Sequence, residues 1–223
     1  MKILIVDDEH EIADLIELYL KNENYQIFKA YHSEDALDII KKEQIDLALF
    51  DVMMPKIDGF ELCKIVREEY QFPIIMVTAK VTALDKIEGL TIGADDYITK
   101  PFTPLELVAR VKAQLRRYKN YNKIDNNESI IHKGLNIQNH THQCFYNEQE
   151  LTLTPTEFSI IWELSLKIGM VVTTSDLFQA VWKSNYQPND NNTIMVHIRH
   201  IREKMKDNNF IKTIWGVGYT IEK

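Results

Sequence analysis

The amino-acid sequence predicts an α/β domain built on a parallel sheet, followed by a smaller α+β domain of short strands, helices and a closing hairpin. Up to about residue 118, short apolar runs alternate with segments of helical period. Residues 119–128 are mostly Asn, Lys, Asp and Glu, and such a segment cannot bury enough apolar surface to fold by itself. Three helical segments follow it, after short strand-like pieces at Leu135 to Ile137, Gln143 to Tyr146 and Glu150 to Leu153. We therefore predict domains at 1–118 and 129–223, joined by a linker at 119–128.

Three apolar runs predict buried strands in the first domain: Ile3 to Val6, Leu47 to Phe50, and Ile74 to Val77. Between the first two, apolar residues recur with i, i+3, i+4 spacing from Ile12 to Leu20, which predicts a helix that covers the sheet. A last helix is expected near the end of the domain. Its apolar face is predicted at Leu105, Val108, Val111 and Leu115. This alternation of strands and helices is typical of a parallel sheet.

Polar side chains lie at the ends of the predicted strands, where open parallel sheets bind their ligands. Asp7 and Asp8 follow the first strand, Asp51 ends the second, and Thr78 ends the third. Lys100 follows a further short strand-like run. Three carboxylates gathered at one edge would repel one another and raise their pKa values unless a cation lay between them. A hard divalent ion with oxygen ligands, Mg²⁺ first, meets this requirement.

With Mg²⁺ in place, the Asp51 carboxylate is suited to attack a phosphoryl group and form an aspartyl phosphate. Lys100 and the Thr78 hydroxyl would then contact the phosphoryl oxygens. Taken one at a time, each aspartate is better explained as an ordinary strand-end or helix-cap residue. Their joint placement favours a phosphoacceptor site.

The net charge of −7 lies mainly in the first part of the chain, where residues 1–119 carry −6 and residues 120–223 carry −1. DNA-binding domains are commonly basic, so this charge does not by itself indicate a nucleic-acid partner. No stretch approaches the roughly 18 apolar residues of a membrane span, and no signal-peptide pattern begins the chain. We therefore expect a cytoplasmic protein with no membrane partner. Cys63 and Cys144 lack metal-type spacing and are expected to be reduced.

The second domain contains a strong helix-start signal. Thr154-Pro155-Thr156-Glu157 is a capping box with proline at the first helical position. A second helix is predicted around Leu177 to Trp182, and a third from about Asn191 to Lys206. The buried stripe of the third helix is predicted at Ile194, Ile198, Ile201 and Met205. The side chains expected on its DNA-facing surface are Asn192, Thr193, Val196, Arg199, His200, Arg202 and Lys204.

A helix with such a surface fits the DNA major groove, where polar side chains bond base edges and phosphates. A surface helix whose charges merely face water explains the charge pattern equally well. The end of the chain favours the first interpretation. Two strand-like segments, Phe210 to Trp215 and Tyr219 to Ile221, flank Gly216-Val217-Gly218, which predicts a hairpin beside the helix.

The motifs ILIVDDE, LFDVMMPKIDG, VTAK and DDYITKPF resemble the response-regulator receiver domain of bacterial two-component systems. The resemblance covers residues 1 to about 118 and implies a flavodoxin-like fold with a five-stranded, doubly wound parallel sheet. It also implies a sensor histidine kinase as phosphodonor and a switch pair at Thr78 and Tyr97. The implied Mg²⁺ ligands are Asp7, Asp8, Asp51 and the Met53 carbonyl.

Within this class the chain resembles the OmpR/PhoB family, whose receivers form homodimers on phosphorylation through the family's fourth helix, fifth strand and fifth helix. The implied cross-dimer ion pairs are Lys86 with Glu106, Asp95 with Lys112, and Asp96 with Arg110, with Arg117 as a further basic position. Exposed pairs contribute typically below about 1 kcal/mol each. We therefore expect these pairs to set partner choice and register rather than affinity.

From about Ser129 onward, the capping-box helix, the segment NNTIMVHIRHIREKM and the segment WGVGY resemble the winged helix-turn-helix effector domain of the same family. This resemblance implies double-stranded promoter DNA as a partner and RNA polymerase as a candidate partner. Two positions depart from the pattern, because many members have Arg where this chain has His200 and Trp215. Trp215, a candidate DNA contact, either packs against its own hairpin, which we favour, or lies on the sugar-phosphate backbone.

Longer segments are most similar to the VanR subgroup of the family. They are ILIVDDEHEIADLIELYLKNENY, LTIGADDYITKPF, LTPTEFSI and WGVGY. The resemblance implies control of cell-wall remodelling and glycopeptide-resistance genes, with a VanS-like sensor kinase as phosphodonor.

Two alternatives belong to other functional classes. The first is a phosphatase or a flavin protein, because one fold hosts many functions. An aspartate-based phosphatase needs a second acid two residues after its nucleophile, whereas Val52 and Met53 follow Asp51, and no glycine-rich loop is present for a flavin phosphate. We therefore expect a transcription regulator and not an enzyme. The second alternative is an effector domain that binds protein, which would cause no salt-sensitive retardation of DNA.

Overall fold

The computed structural model describes residues 1–79, 92–120, 129–183 and 191–223. The chain divides into two compact units, Met1–Leu115 and Arg116–Lys223, and each has its own hydrophobic core. The predicted linker at 119–128 overlaps the end of a helix that runs to Asn120, and residues 121–128 lie outside the described part. The domain limits 1–118 and 129–223 therefore stay a prediction.

The first unit contains a five-stranded parallel sheet with the strand order β2-β1-β3-β4-β5. The strands are β1 (Lys2–Val6), β2 (Gln26–Ala30), β3 (Leu47–Asp51), β4 (Ile74–Thr78) and β5 (Asp96–Thr99). Both faces of β3 and β4 are buried, which explains their continuous apolar sequence. The predicted fold class is confirmed.

Helices cover both faces of this sheet. They are α1 (His10–Leu20), followed by a 3₁₀ turn at Lys21–Glu23, α2 (Ser33–Lys42), α3 (Gly59–Arg67) and α4 (Pro104–Asn120). Residues of α1 and α4 share one core cluster with the sheet, whereas α2 and α3 contact each other as well as β1, β2 and β3. Leu105 is exposed, so its predicted place on the buried face of the last helix is wrong. Leu107 takes its place beside Val111 and Leu115, and the predicted Val108 is partly buried against the same core.

The second unit begins with a four-stranded antiparallel sheet in the order β6-β7-β8-β9. Its strands are β6 (Ser129–His132), β7 (Leu135–Gln138), β8 (Gln143–Tyr146) and β9 (Gln149–Glu150). A strand predicted at 150–153 ends at Glu150. The chain leaves the sheet there because Leu153 turns into the core and Thr154 caps the next helix.

Three helices follow in the second unit: α5 (Pro155–Ser165), α6 (Thr174–Trp182) and α7 (Asn191–Met205). The unit closes with an antiparallel hairpin of β11 (Ile211–Ile214) and β12 (Gly218–Ile221), and β10 (Val172–Thr173) pairs with the other edge of β12. A Cβ atom at Gly218 would lie 2.0 Å from the Val172 carbonyl oxygen, so glycine permits this close pairing. The arrangement confirms the predicted helix-turn-helix with a wing.

Among the helices that the structure describes, none combines the length and apolar character that crossing a membrane requires.

Candidate phosphoacceptor site and nucleic-acid interface

The carboxyl ends of β1 and β3 bring three acidic side chains together. Asp7 and Asp8 follow β1, and Asp51 is the last residue of the neighbouring strand β3. One carboxylate oxygen from each lies within 4.8 Å of the others. Asp7 and Asp51 are buried, whereas Asp8 is partly exposed, so the cluster can be reached from solvent. The predicted convergence of these three residues therefore exists.

Lys100 reaches the same cluster from the end of β5. Its backbone N–H donates to the Thr78 carbonyl at 2.7 Å, which ties it to the end of β4. Its Nζ atom lies 2.9 Å from Asp7 Oδ2 and 3.4 Å from Asp51 Oδ1. One ammonium group thus faces two buried carboxylates, and the cluster keeps a net negative charge.

The buried carboxyl groups of this cluster have raised pKa values. Burial raises the pKa of Asp51 from 3.8 to about 6, and the charge of Asp7 adds to this rise against the opposing effect of Lys100. Burial also raises the pKa of Asp7. For Lys100, burial by itself would lower the pKa, but the bond to Asp7 and the charge of Asp51 raise it. A divalent cation with oxygen ligands would relieve this repulsion, so the donor set fits Mg²⁺.

The chain between Asp51 and α3 folds back, so that the Gly59 N–H donates to the Val52 carbonyl next to the end of β3. Asp58 caps α3 by accepting a hydrogen bond from the Glu61 N–H at 2.8 Å. A Cβ atom at Gly59 would lie 2.1 Å from the Asp51 carbonyl oxygen, so a larger residue would push this segment away. The Met53 backbone acts to lower the pKa of Asp51. The predicted role of the Met53 carbonyl as a metal ligand stays a prediction.

Thr78 and Tyr97 lie on the same face of the sheet. Thr78 is the register partner of Thr99, two residues beyond Tyr97. Their neighbours Val77 and Ile98 point into the core shared with α1 and α4, so Thr78 and Tyr97 point to the opposite face. Both are buried. Their function as a switch pair stays a prediction.

One of the expected dimer-interface residues, Asp95, is not on the surface. Its side chain is 0% exposed, lies 2.7 Å from Arg67 Nη2, and accepts a hydrogen bond from the Ile74 N–H at 3.0 Å. Lys112 pairs with Glu23 of its own chain at 2.7 Å. The predicted Asp95–Lys112 pair across a dimer is therefore wrong, because Asp95 is buried and both residues are paired within the chain.

Asp96, Glu106 and Arg110 form one network within the chain. Arg110 Nη1 lies 2.9 Å from Asp96 Oδ1, and Arg110 Nε lies 3.2 Å from Glu106 Oε1. Lys86 and the side chain of Arg117 lie outside the described part of the structure. Asp96 is only 3% exposed, so its pairing with Arg110 across a dimer would require it to become exposed. This pairing and that of Lys86 with Glu106 stay predictions.

Helix α7 is buried over more of its circumference than one apolar stripe predicts. Thr193, Val196 and His200 are expected to face DNA, but they are only 8%, 3% and 8% exposed. The prediction is wrong for these three residues because α7 contacts both α5 and α6. A periodic apolar stripe identifies the face of a helix that packs against one neighbour. It does not identify a second face of the same helix that another helix covers.

His200 belongs to a buried polar network around Glu157. Glu157 Oε2 accepts from the Thr154 N–H at 2.8 Å, which completes the capping box, and lies 2.6 Å from Lys204 Nζ. Its Oε1 lies 3.6 Å from His200 Nδ1. His197 brings a third group of metal-ligand type close to these two. Because Lys204 already supplies positive charge at Glu157, we interpret the network as ion pairing that joins α5 to α7.

The outward face of α7 includes Asn192, Met195 and Arg199. Arg199 Nε lies 2.7 Å from Glu203 Oε1, one turn away on the exposed side. Arg202 donates to the Ile211 carbonyl, so it also ties the helix to the hairpin. Sequence reasoning missed Met195 because its apolar type gives no sign of surface function. Its spacing, three residues after Asn192 and four before Arg199, could have placed it on the same face of the helix.

The wing presents its tryptophan to solvent. Trp215 is 91% exposed at the tip of the hairpin, next to Gly216. The favoured prediction that it packs against its own hairpin is wrong. The Val217 N–H donates to the Ile214 carbonyl at 3.0 Å, which closes a tight turn around Trp215 and Gly216. A groove of about 590 Å³ separates Trp215 from the outward face of α7.

Two family models match the chain, one in each unit. Residues 3–112 match the response regulator receiver domain, and residues 148–221 match the transcriptional regulatory protein, C terminal. The first match contains the acidic cluster and Lys100, and the second contains α7 and the wing.

Full-length relatives agree with both matches. The chain is 58% identical to the regulatory protein VanR of Enterococcus faecium over 228 residues, which cover 100% of this chain and 99% of the relative. The solved structure of a RitR mutant matches with a TM-score of 0.75 and 26% identity, and DrrB, an OmpR/PhoB homologue of Thermotoga maritima, with 0.53 and 30%. Each match covers 100% of this chain and 99% of the solved one. The chain therefore belongs to the OmpR/PhoB family of two-component response regulators, with a receiver domain and a DNA-binding domain.

Proposed function

We propose that a VanS-like sensor histidine kinase transfers a phosphoryl group to Asp51 and that this transfer favours a homodimer bound to promoter DNA. In the transfer, the bond between phosphorus and a histidine nitrogen of the kinase breaks, and a bond between phosphorus and an Asp51 oxygen forms. The observation that carries the proposal is the convergence at Asp51. Asp7 and Asp8 approach within 4.8 Å, and Lys100 Nζ lies 3.4 Å away. The chain would act as the acceptor of the group rather than as an enzyme on a separate substrate.

The proposed cofactor of this step is Mg²⁺. Its protein ligands would be Asp7, Asp8 and Asp51, with the Met53 carbonyl as a further one. When bound, the ion would offset negative charge on the phosphoryl oxygens. Lys100 would contribute a fixed positive charge next to Asp51, and the Thr78 hydroxyl would donate a hydrogen bond to the phosphoryl group.

The mass of the intact protein tests the acceptor. After incubation with a small-molecule phosphodonor and Mg²⁺, we expect the wild type to gain one phosphoryl mass and Asp51→Asn to gain none. Asp58→Asn changes a carboxylate at the start of α3 and should still gain it. Equal gain in wild type and Asp51→Asn would show that Asp51 is not the acceptor. Full gain in the presence of excess chelator would show that the reaction does not require Mg²⁺.

Phosphorylation would act on the surface that carries Glu106 and Arg110, which contacts the buried Asp96, and on the predicted interface residues Lys86 and Arg117. The proposed link is the switch pair, because Thr78 and Tyr97 share one face of the sheet and Tyr97 directly follows Asp96. A change at Thr78 would move Tyr97 and alter the neighbouring ion pairs. Ion pairs of this kind set partner choice and register more than affinity.

The partner of the second unit is proposed to be double-stranded promoter DNA, bound by the outward face of α7 and by the wing. Asn192 and Arg199 would bond base edges, and Trp215 would lie on the sugar-phosphate backbone. Arg202 and Lys204 are candidates for phosphate contacts, although both are also bonded within the unit.

Binding over a series of salt concentrations, with cognate and scrambled duplexes, tests this interface. Arg199→Ala should weaken cognate binding by about tenfold or more and leave scrambled binding nearly unchanged. If Arg199→Ala weakens binding to both duplexes equally, and the slope of log affinity against log salt concentration is smaller by about one than in the wild type, Arg199 contacts a phosphate instead. An effector domain that binds protein would cause no salt-sensitive retardation of any duplex.

The likeness to VanR supports a role in controlling cell-wall remodelling and glycopeptide-resistance genes, with RNA polymerase as a candidate partner. Because the DNA and the phosphodonor part of a sensor kinase are in the cytoplasm, we expect the protein there. Recovery of the genomic fragments that the phosphorylated protein retains would identify the regulated genes. Fragments without any cell-wall or resistance operon would contradict this assignment.

A further inference from the structure

Met195 is an apolar side chain in the middle of the polar outward face of α7. It lies three residues after Asn192 and four before Arg199, so the three side chains form one row along the helix. Its flanking residues Ile194 and Val196 are buried, whereas Met195 is 49% exposed. The core therefore does not account for this methionine.

Met195 also borders the groove between α7 and the wing. Asn192, Trp215 and Val217 line the same groove, and Trp215 and Val217 are themselves exposed. The opposite rim carries the Thr173, Thr174 and Ser175 side chains at the start of α6. Arg202 also lines the groove, so the groove combines an apolar surface with a positive charge. Duplex DNA complements both, which favours it over an apolar protein partner.

The apolar feature that distinguishes one base from the others in the major groove is the C5-methyl group of thymine. We infer that Met195 contacts the C5-methyl group of one thymine in each half-site and so makes this chain prefer thymine at that position. The inference rests on DNA binding through α7. Asn192 and Arg199 on either side would fix the helix by hydrogen bonds, and the flexible thioether would fill the space over the methyl group.

Replacing thymine by deoxyuridine removes this methyl group and leaves the hydrogen-bonding edges of the base pair unchanged. The test uses the full-length protein and a duplex that it selects from a random library, with each thymine of the half-site replaced in turn. Loss of one buried methyl contact is expected to weaken wild-type binding about fourfold at one position. Met195→Ala should bind both duplexes equally, and Met195→Leu should restore part of the preference.

A matched control comes from the same unit. Met170 is 63% exposed in the turn after α5, away from α7, so Met170→Ala should keep the wild-type preference for thymine. The inference is overturned if wild type binds every deoxyuridine duplex as well as the parent. It is also overturned if Met195→Ala keeps the fourfold preference. In both cases the proposed DNA binding stands, whereas failure of the wild type to select any duplex would contradict the proposed function itself.

Discussion

At the scale of single residues, the buried Asp51 carboxyl group is proposed to accept a phosphoryl group, but its negative charge lowers the stability of the receiver. Burial raises its pKa to about 6 from 3.8, so the folded receiver favours the protonated form. An acidic group whose pKa is raised by folding makes the protein less stable as the pH rises from the unfolded pKa, here 3.8, to the folded pKa of about 6. Above pH 6 the ionised Asp51 therefore destabilises the receiver unless a cation offsets its charge.

We predict that Asp51→Asn stabilises the metal-free receiver at pH 7.5 by about 2 kcal/mol. The difference should shrink as the pH falls from about 6 to 3.8, because below 3.8 the wild-type carboxyl group is increasingly protonated in both states. Excess Mg²⁺ should also reduce it, because Mg²⁺ is expected to stabilise the wild type more. All three tryptophans lie in the second unit, so the receiver transition is followed by circular dichroism without a change in tryptophan fluorescence.

Asp58→Asn is the control for this measurement, because it neutralises a carboxylate near the same strand but outside the cluster. It should leave the pH dependence of the wild type unchanged. A lower free energy of unfolding for Asp51→Asn at pH 7.5 would show that the ionised carboxylate stabilises the receiver, contrary to the prediction.

At the scale of secondary-structure elements, Glu157 joins the start of α5 to the middle of α7. Burial by itself would raise its pKa, but the bonds from His200 and Lys204 outweigh burial and lower the pKa to about 2. A carboxylate with a lowered pKa contributes stability above its unfolded value of 4.5, and this stability is lost as the pH falls from there to about 2.

We predict that Glu157→Gln destabilises the second unit at neutral pH by about 3 kcal/mol, because it leaves the Lys204 ammonium group without its counter-ion. The variant should also lose the part of the wild-type acid dependence that lies between pH 4.5 and 2. Urea unfolding followed by tryptophan fluorescence at several pH values measures both effects. Glu163→Gln, on the same helix but outside this network, should behave as the wild type, and an equal acid dependence in Glu157→Gln would contradict the prediction.

At the scale of the whole molecule, the proposed dimer needs ion pairs between two chains, whereas Glu106 and Arg110 pair within one chain in the structure. Both residues are partly exposed, so their pair contributes little to the stability of one chain, and its exchange for a partner in a second chain costs little. Lys86 and Glu106 are the predicted cross-dimer pair with which this exchange is most easily tested.

We predict that phosphorylated Lys86→Glu and phosphorylated Glu106→Lys each fail to dimerise alone but form a dimer when mixed. Each like-charge pair in the separate variants becomes an opposite-charge pair in the mixture, and this holds only if the contact crosses the interface. Sedimentation velocity of the phosphorylated proteins measures the outcome. Lys41→Glu is the control and should dimerise as the wild type, since Lys41 is exposed on α2, which is not part of the expected interface. Dimerisation of both single variants alone would contradict the predicted pair.

Much of the first unit was predictable because its signals are local. Continuous apolar runs mark β1, β3 and β4, which are covered on both faces. The strand β2 gave no such signal from its own residues, because it lies at the sheet edge and mixes Gln26 and Lys29 with apolar positions. Its existence followed from the family resemblance instead.

The sequence by itself determined the parallel sheet, the acidic residues at the strand ends and the capping box of α5. These features depend on the order of residues along a few turns or one strand. Only the tertiary structure decided that Asp95 and His200 are buried and that Trp215 and Met195 are exposed. The residues that pair with Asp95 and with Lys204 lie 28 and 47 positions away, at Arg67 and Glu157. Burial is set by such distant neighbours, and a local pattern contains no information about which of them will cover a given face.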